Sequence, residues 1–175
     1  MSAKLIDDLT EQLFQANHEW PQDQWFSAGK FARTLAGRVA RVVGDSPIEF
    51  ALARIDSEGP GGTAKVFHAT VFTAGAVIAG SMAASENDTY PPKGDVSIVP
   101  RTALRSLVLN HVQNFEEATA QTQTYFTATY EGLPTPLVVD HGIYSYQNQG
   151  RAGQLFDALS ADLLRTAGTV GPPRA

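Results

Sequence analysis

The 175-residue sequence contains no cysteine, which excludes disulfide bonds, thiolate metal ligands and thiol catalysis. It also has no apolar run that approaches the roughly 18 residues of a membrane-spanning helix, even in the stretch TVFTAGAVIAGSMAAS. The first 15 residues contain one lysine, Lys4, followed by three carboxylates, so they do not resemble a secretory signal or a transit peptide. These features predict a cytoplasmic protein.

Basic residues are outnumbered by acidic ones. The chain has 13 Lys and Arg residues and 18 Asp and Glu residues, which gives a net charge of −5. Phosphate neutralisation needs a basic surface, so this balance argues against non-specific binding of nucleic acid. The histidines have no HxH or HExxH spacing, and the sequence therefore predicts no metal site and no cofactor. They are His18, His68, His111 and His141.

Residues 1–44 have the 3.6-residue periodicity of two helices. The first helix ends near Pro21, and the second is predicted from about Gln24 to Val43. Matching apolar faces and a short connection predict an antiparallel helical hairpin. The apolar stripe of the second helix consists of Trp25, Ala28, Ala32, Leu35, Val39 and Val42.

Two aromatic residues of the second helix, Phe26 and Phe31, lie off this stripe on opposite flanks. A two-helix unit cannot cover both, so either the remainder of the fold covers them or another chain does. Together with Trp25 they are candidate binding residues for a protein partner or for self-association through the N-terminal helices. The alanines of the stripe make its apolar face too shallow for strong membrane binding.

Beyond Pro47 the apolar period changes to two, and the pattern predicts seven strands between residues 48 and 140. The segments are IEFALARID, TAKVFHATVFT, AVIAGSMAAS, DVSIVP, LRSLVLNHV, TYFTATY and PLVVD. An amphipathic helix follows, with Leu155, Phe156, Leu159 and Leu163 at helical spacing. Residues 168–175 are predicted to be a frayed tail.

Seven antiparallel strands closed by one C-terminal helix resemble a pleckstrin-homology-like (PH-like) domain of bacterial type, over roughly residues 48–167. HATVFTAGAVIAG is similar to a strand, turn and strand of that family, and DVSIVPRTALRSLVL to the next pair of strands. The resemblance implies an α+β fold: a partly open seven-stranded barrel capped by the C-terminal helix, with the hairpin of residues 1–44 outside the family pattern. It further implies a scaffold for protein contacts, peptide docking or self-association.

The family's phosphoinositide site uses several basic residues around the loop between the first two strands. Here the corresponding stretch, ARIDSEGPGGTAKV, offers only Arg54 and Lys65, beside Asp56 and Glu58. Two phosphates need several converging cations, and nearby carboxylates repel them. Phosphoinositide binding is therefore not expected.

Two arginines four residues apart, Arg101 and Arg105, interrupt the apolar stretch DVSIVPRTALRSLVLN. The favoured interpretation is that both are solvated cations that protect the edge of a strand. The alternative is that both bind one carboxylate or phosphate of a ligand, which makes them candidate binding residues.

Two hypotheses of function follow. The first is a non-catalytic protein-binding or assembly module on a PH-like scaffold. The second is a small enzyme with a site assembled from scattered polar residues, His68, His111 and Asp140. A deep pocket with convergent titratable groups would favour the enzyme, and exposed apolar patches on a filled barrel would favour the module. The sequence favours the module.

Overall fold

A computed structural model describes residues 3–22, 27–58, 64–84, 93–114, 122–140 and 146–169 of the chain. Within these ranges it has three α-helices and seven strands, which confirms the predicted α+β class and all seven strand segments. In chain order the elements are α1 (Ala3–Ala16), α2 (Ser27–Val43), β1 (Ile48–Glu58), β2 (Ala64–Thr73), β3 (Ala76–Ala84), β4 (Gly94–Pro100), β5 (Leu104–Asn114), β6 (Thr122–Tyr130), β7 (Leu137–Val139) and α3 (Tyr146–Thr169).

The strands pair as two antiparallel sheets, which we call sheet A (β1-β2-β3-β4) and sheet B (β5-β6-β7). A single seven-stranded barrel is not confirmed, because the described strands form these two sheets and no closed barrel. The change from one sheet to the other lies between β4 and β5. A 3-10 turn at Arg101–Ala103 follows Pro100 directly, and the chain leaves sheet A there and begins sheet B.

The helical hairpin packs on the outer face of sheet A, chiefly against β2 and β3. Gly80 allows this close approach, because a Cβ atom at that position would lie 2.9 Å from Cδ1 of Leu35. Trp20, between the helices, is buried and packs edge-on against Phe67, with ring centroids 5.6 Å apart. The hairpin is therefore part of the main core.

The apolar stripe predicted for α2 is confirmed at Ala32, Leu35 and Val39, which are fully buried. It is wrong at Val42, which is 40% exposed, because the contact surface at the end of the helix has turned to Val43. The helix ends at Gly44, whose positive φ of 59° favours glycine and whose N–H donates to the Ala40 carbonyl.

The C-terminal helix α3 packs mainly on sheet B and also contacts β1. Leu155 and Leu159 are buried in its contact surface, and Phe156 packs against Phe126 of β6 with ring centroids 5.5 Å apart. Phe126 is itself fully buried. None of the described helices is long and apolar enough to cross a membrane.

Candidate binding cleft

The register of sheet A arranges its inner face in rows that run across all four strands. Successive side chains of a strand point to opposite faces, so residues two apart in one strand lie in neighbouring rows of the same face. The innermost row is Phe50, Phe72, Val77 and Val99, and all four are buried. The middle row is Leu52, Thr70, Ala79 and Ser97, and the outer row is Arg54, His68, Ser81 and Asp95.

A cleft of about 370 Å³ lies between the middle and outer rows on one side and the β6–β7 connection with the start of β7 on the other. Its volume falls within the roughly 300–1,000 Å³ typical of small-ligand pockets. The opposite wall is largely apolar and comprises Leu133, Pro134, Thr135, Pro136, Leu137 and Val138. The cleft therefore has an apolar interior and a polar mouth formed by the outer row.

The wall over the cleft is fixed by its own backbone. Gly132 adopts a φ of 91°, which favours glycine, and the Leu133 N–H donates to the Tyr130 carbonyl. The Glu131 N–H donates to the Ala103 carbonyl over 2.9 Å. Proline restricts φ, so Pro134 and Pro136 further limit the conformations of the wall. The cleft is consequently bounded by ordered structure on both sides.

On sheet A, three hydroxyl side chains line the cleft without a hydrogen-bond partner among the described residues: Thr70, Ser81 and Ser97. Thr70 is only 8% exposed. A hydroxyl group can donate one hydrogen bond and accept others. These groups can therefore bind a polar atom of a ligand.

The charged residues at the mouth divide into two groups. On the β1–β2 side, Asp56 accepts Arg54 at 3.0 Å and His68 Nε2 at 3.1 Å. On the β4 side, Asp95 is exposed and has no ion-pair partner within the described ranges. Opposite charges largely compensate one another on the first side, and a carboxylate is available on the second.

The two arginines considered above have different surroundings. The expectation that Arg101 is solvated is wrong: its side chain is 8% exposed, and it binds Glu49 of β1 and Asp162 of α3. The 3-10 turn carries it into the junction of β1, α3 and the turn after β2. Arg105 is exposed and pairs with Glu131. The arginines thus have separate carboxylate partners, and no shared ligand site is formed by the pair in this arrangement.

Burial also affects Tyr130, which is 2% exposed beside this junction. Desolvation raises the pKa of its hydroxyl, Asp162 adds to the rise, and Arg101 opposes it. Its Oη atom has no hydrogen-bond partner in the part of the chain that the structure describes. Tyr130 is therefore a buried neutral phenol.

The residues of the enzyme hypothesis do not converge. His68 lies on the inner face of sheet A, whereas His111 stacks on Tyr125 in sheet B, with ring centroids 5.9 Å apart. Asp140 follows β7, and the pKa of Tyr125 is raised by burial and, secondly, by Asp140. His111, Tyr125 and Asp140 are therefore neighbours, but they lie on a different sheet from His68.

The remaining candidate residues belong to the N-terminal helices. Phe31 is half-buried and packs against the core, so the fold itself covers part of its ring. Trp25 and Phe26 lie outside the described residues, as does His141. A partner interface on these helices stays a prediction.

No cluster of three or more His, Asp or Glu residues suited to a metal ion occurs among the described residues. Comparisons with protein-family models, with curated proteins and with solved structures each found no match to this chain.

Sequence reasoning did not identify the cleft. The signal was present as small polar residues at every second position of neighbouring strands, such as Ser81 in β3 and the pair Asp95 and Ser97 in β4. Their alignment depends on strand register, however, and on the wall formed by the segment after β6.

Proposed function

We propose that this chain is a non-catalytic protein-binding module on a PH-like scaffold, and that it holds an extended segment of a partner protein in the cleft. The observation that carries the proposal is the cleft itself, with an apolar interior, unpartnered hydroxyls and an ordered wall. Antiparallel sheets of four and three strands, followed by a helix that packs on them, are consistent with the PH-like resemblance.

The shape of the cleft favours a chain segment as the occupant. Its openness to solvent along the outer row allows a polypeptide to enter and leave, whereas its inner end is closed by the buried row that includes Phe72 and Val77. A partner side chain that enters the apolar interior would be stabilised by roughly 25 cal/mol for each Å² of apolar surface removed from water. The hydroxyls can hydrogen-bond the partner's polar groups.

The packing of the helical hairpin supports the cleft over the helices as the partner site. The fully buried residues of the α2 stripe, such as Leu35 and Val39, contact sheet A within the same chain. They are already covered and cannot contact another protein without unfolding the hairpin from the sheet.

A pull-down from native lysate with a cleft-filling variant tests this proposal. Ala79 lies half-buried in the middle row, so Ala79→Phe puts a ring into the cleft. Ala83 is exposed four residues further along the same strand, outside the cleft lining, and Ala83→Phe is the matched control. The proposal predicts a partner captured by the wild type and by Ala83→Phe but lost with Ala79→Phe. Equal capture by all three folded proteins would exclude the cleft.

A second candidate function is hydrolysis, because His68 lines this cleft beside its cross-strand neighbour Ser81 and pairs with Asp56. A histidine oriented by a carboxylate can activate a serine hydroxyl. The Ser81 hydroxyl has no hydrogen bond to a described residue, which favours the binding function. Hydrolysis of p-nitrophenyl acetate that disappears in both His68→Ala and Ser81→Ala would establish the enzyme instead.

A further inference from the structure

The β3–β4 side of the cleft combines a carboxylate with two hydroxyl groups. Asp95 and Ser97 are two residues apart on β4 and point to the same face, and Ser81 lies directly opposite Asp95 on β3. All three residues line the cleft. None of their side chains has a hydrogen-bond or ion-pair partner among the described residues.

Arg54, the arginine that lines the cleft, is distant from this group, whereas Lys93 is two residues from Asp95 and Arg38 Nη1 donates to the Gly94 carbonyl over 2.6 Å. Arg54 lies on β1 and Asp95 on β4, and three strand spacings of roughly 4.8 Å separate these strands by about 14 Å. Arg54 is also paired with Asp56. Asp95 forms no ion pair with a described residue, so its carboxylate is available to a ligand, and the net charge of −5 favours the approach of a cation.

The interior beside this polar group is apolar but contains one further hydroxyl. Leu52, Ala79 and Leu137 line it, and Thr70 beside them is only 8% exposed. The Thr70 hydroxyl has no partner in the described part of the chain although it lines the cleft. A ligand that fits must have an aliphatic part for the interior and a polar group at the mouth.

We infer that this side of the cleft binds an aliphatic primary ammonium group, such as the side chain of a lysine in the partner protein. An ammonium group has three N–H donors, and Asp95, Ser81 and Ser97 supply three neighbouring acceptors. Its methylene chain covers the apolar interior while the charged end remains at the mouth. The inference rests on the proposed function, because it names the chemical group that the partner presents to the cleft.

A series of hexyl compounds tests the inference with the full chain. n-Hexylammonium, n-hexanol and n-hexanoate share one chain and differ in the charge of the head group. Each is titrated into the isotope-labelled protein, and amide chemical shifts of β3 and β4 are followed. A charge-assisted hydrogen bond at a solvated mouth predicts that hexylammonium binds about three- to tenfold tighter than hexanol, and hexanoate more weakly than either.

Two variants assign the preference to Asp95. Asp95→Asn removes the charge with little change of shape and should abolish the preference for hexylammonium while hexanol binding is kept. Asp157→Asn, on the exposed side of α3, makes the same change of net charge away from the cleft and should keep the preference. Retention of the preference in Asp95→Asn would overturn the inference.

The outcomes separate this inference from the proposed function. Equal binding of the three compounds, or tighter binding of hexanoate, would refute the ammonium site and leave the cleft as a binding site. If no compound shifts the cleft amides at millimolar concentration, the ammonium site is refuted. If no compound binds but the Ala79→Phe variant still loses the partner in the pull-down, the proposed function stands without the ammonium site.

Discussion

Replacement of Arg101 by leucine should weaken the attachment of the C-terminal helix to the sheets. Arg101 Nη1 binds Glu49 Oε2 at 2.6 Å, and Nη2 binds Asp162 Oδ2 at 2.7 Å. Nη1 also donates to the Thr73 carbonyl over 3.3 Å. One buried guanidinium therefore connects β1, the end of β2, and α3, and leucine can make none of these bonds.

The cost follows from the charges that the substitution leaves behind. Removal of one partner of a buried ion pair typically destabilises by about 3–5 kcal/mol. Glu49 is 40% exposed and can be solvated, and Asp162 keeps its pair with Arg165. We therefore expect a destabilisation at the lower end of this range, about 3 kcal/mol. It corresponds to a fall of about 6–12 °C in the thermal midpoint of a chain of this size.

Arg105→Leu is the matched control, because Arg105 lies four residues away but is 61% exposed in its pair with Glu131. An exposed pair contributes about 0–1 kcal/mol. Urea denaturation followed by circular dichroism gives both free energies of unfolding. If the two variants lose free energy of unfolding by amounts that agree within about 0.5 kcal/mol, Arg101 is not a buried connection between these elements.

Three further predictions concern the core. Phe156→Ala should lower the free energy of unfolding by about 2 kcal/mol, measured by denaturation, because the half-buried ring packs on sheet B; an unchanged value would show that α3 does not depend on this contact. Gly80→Val should cost about 1–3 kcal/mol and speed amide hydrogen exchange in α2, since its side chain would meet Leu35; Gly75→Val, with no atom within 4 Å of its Cβ, is the control, and equal exchange in both variants would contradict the packing. Tyr130→Phe should not lower stability at neutral pH, because the hydroxyl lacks a described partner. Above the usual tyrosine pKa of 10.0, the wild type should lose stability with rising pH, since the unfolded phenol ionises while the raised pKa keeps the folded one neutral; stability that falls equally steeply in the phenylalanine variant would refute this cause.

Much of the secondary structure could be predicted, because local periodicity determines it. The change from a 3.6-residue to a 2-residue period at Pro47 located the end of the hairpin, and alternation located all seven strands. The error at Val42 is of one residue, since an apolar pair at a helix end gives periodicity little basis for choosing between Val42 and Val43.

The division into two sheets and the environment of Arg101 could not be predicted in the same way. Both depend on contacts between residues distant in sequence, such as Arg101 with Glu49 and Asp162. An arginine between a proline and a strand is usually exposed, and only tertiary structure brings two carboxylates to it. Prediction of the cleft also requires the tertiary contacts, because its two walls come from β1–β4 and from the segment after β6.

Site-specific photo-crosslinking tests whether a partner protein occupies the cleft. A benzophenone amino acid is introduced at Thr135, which is exposed on the cleft wall, and in a control at Thr102, which is exposed in the 3-10 turn outside the lining. After irradiation in native lysate, mass spectrometry identifies the adducts. The account predicts a partner adduct from position 135 that is lost when Ala79→Phe fills the cleft, and none from position 102. An adduct that persists in the filled variant, or forms equally at both positions, would contradict it.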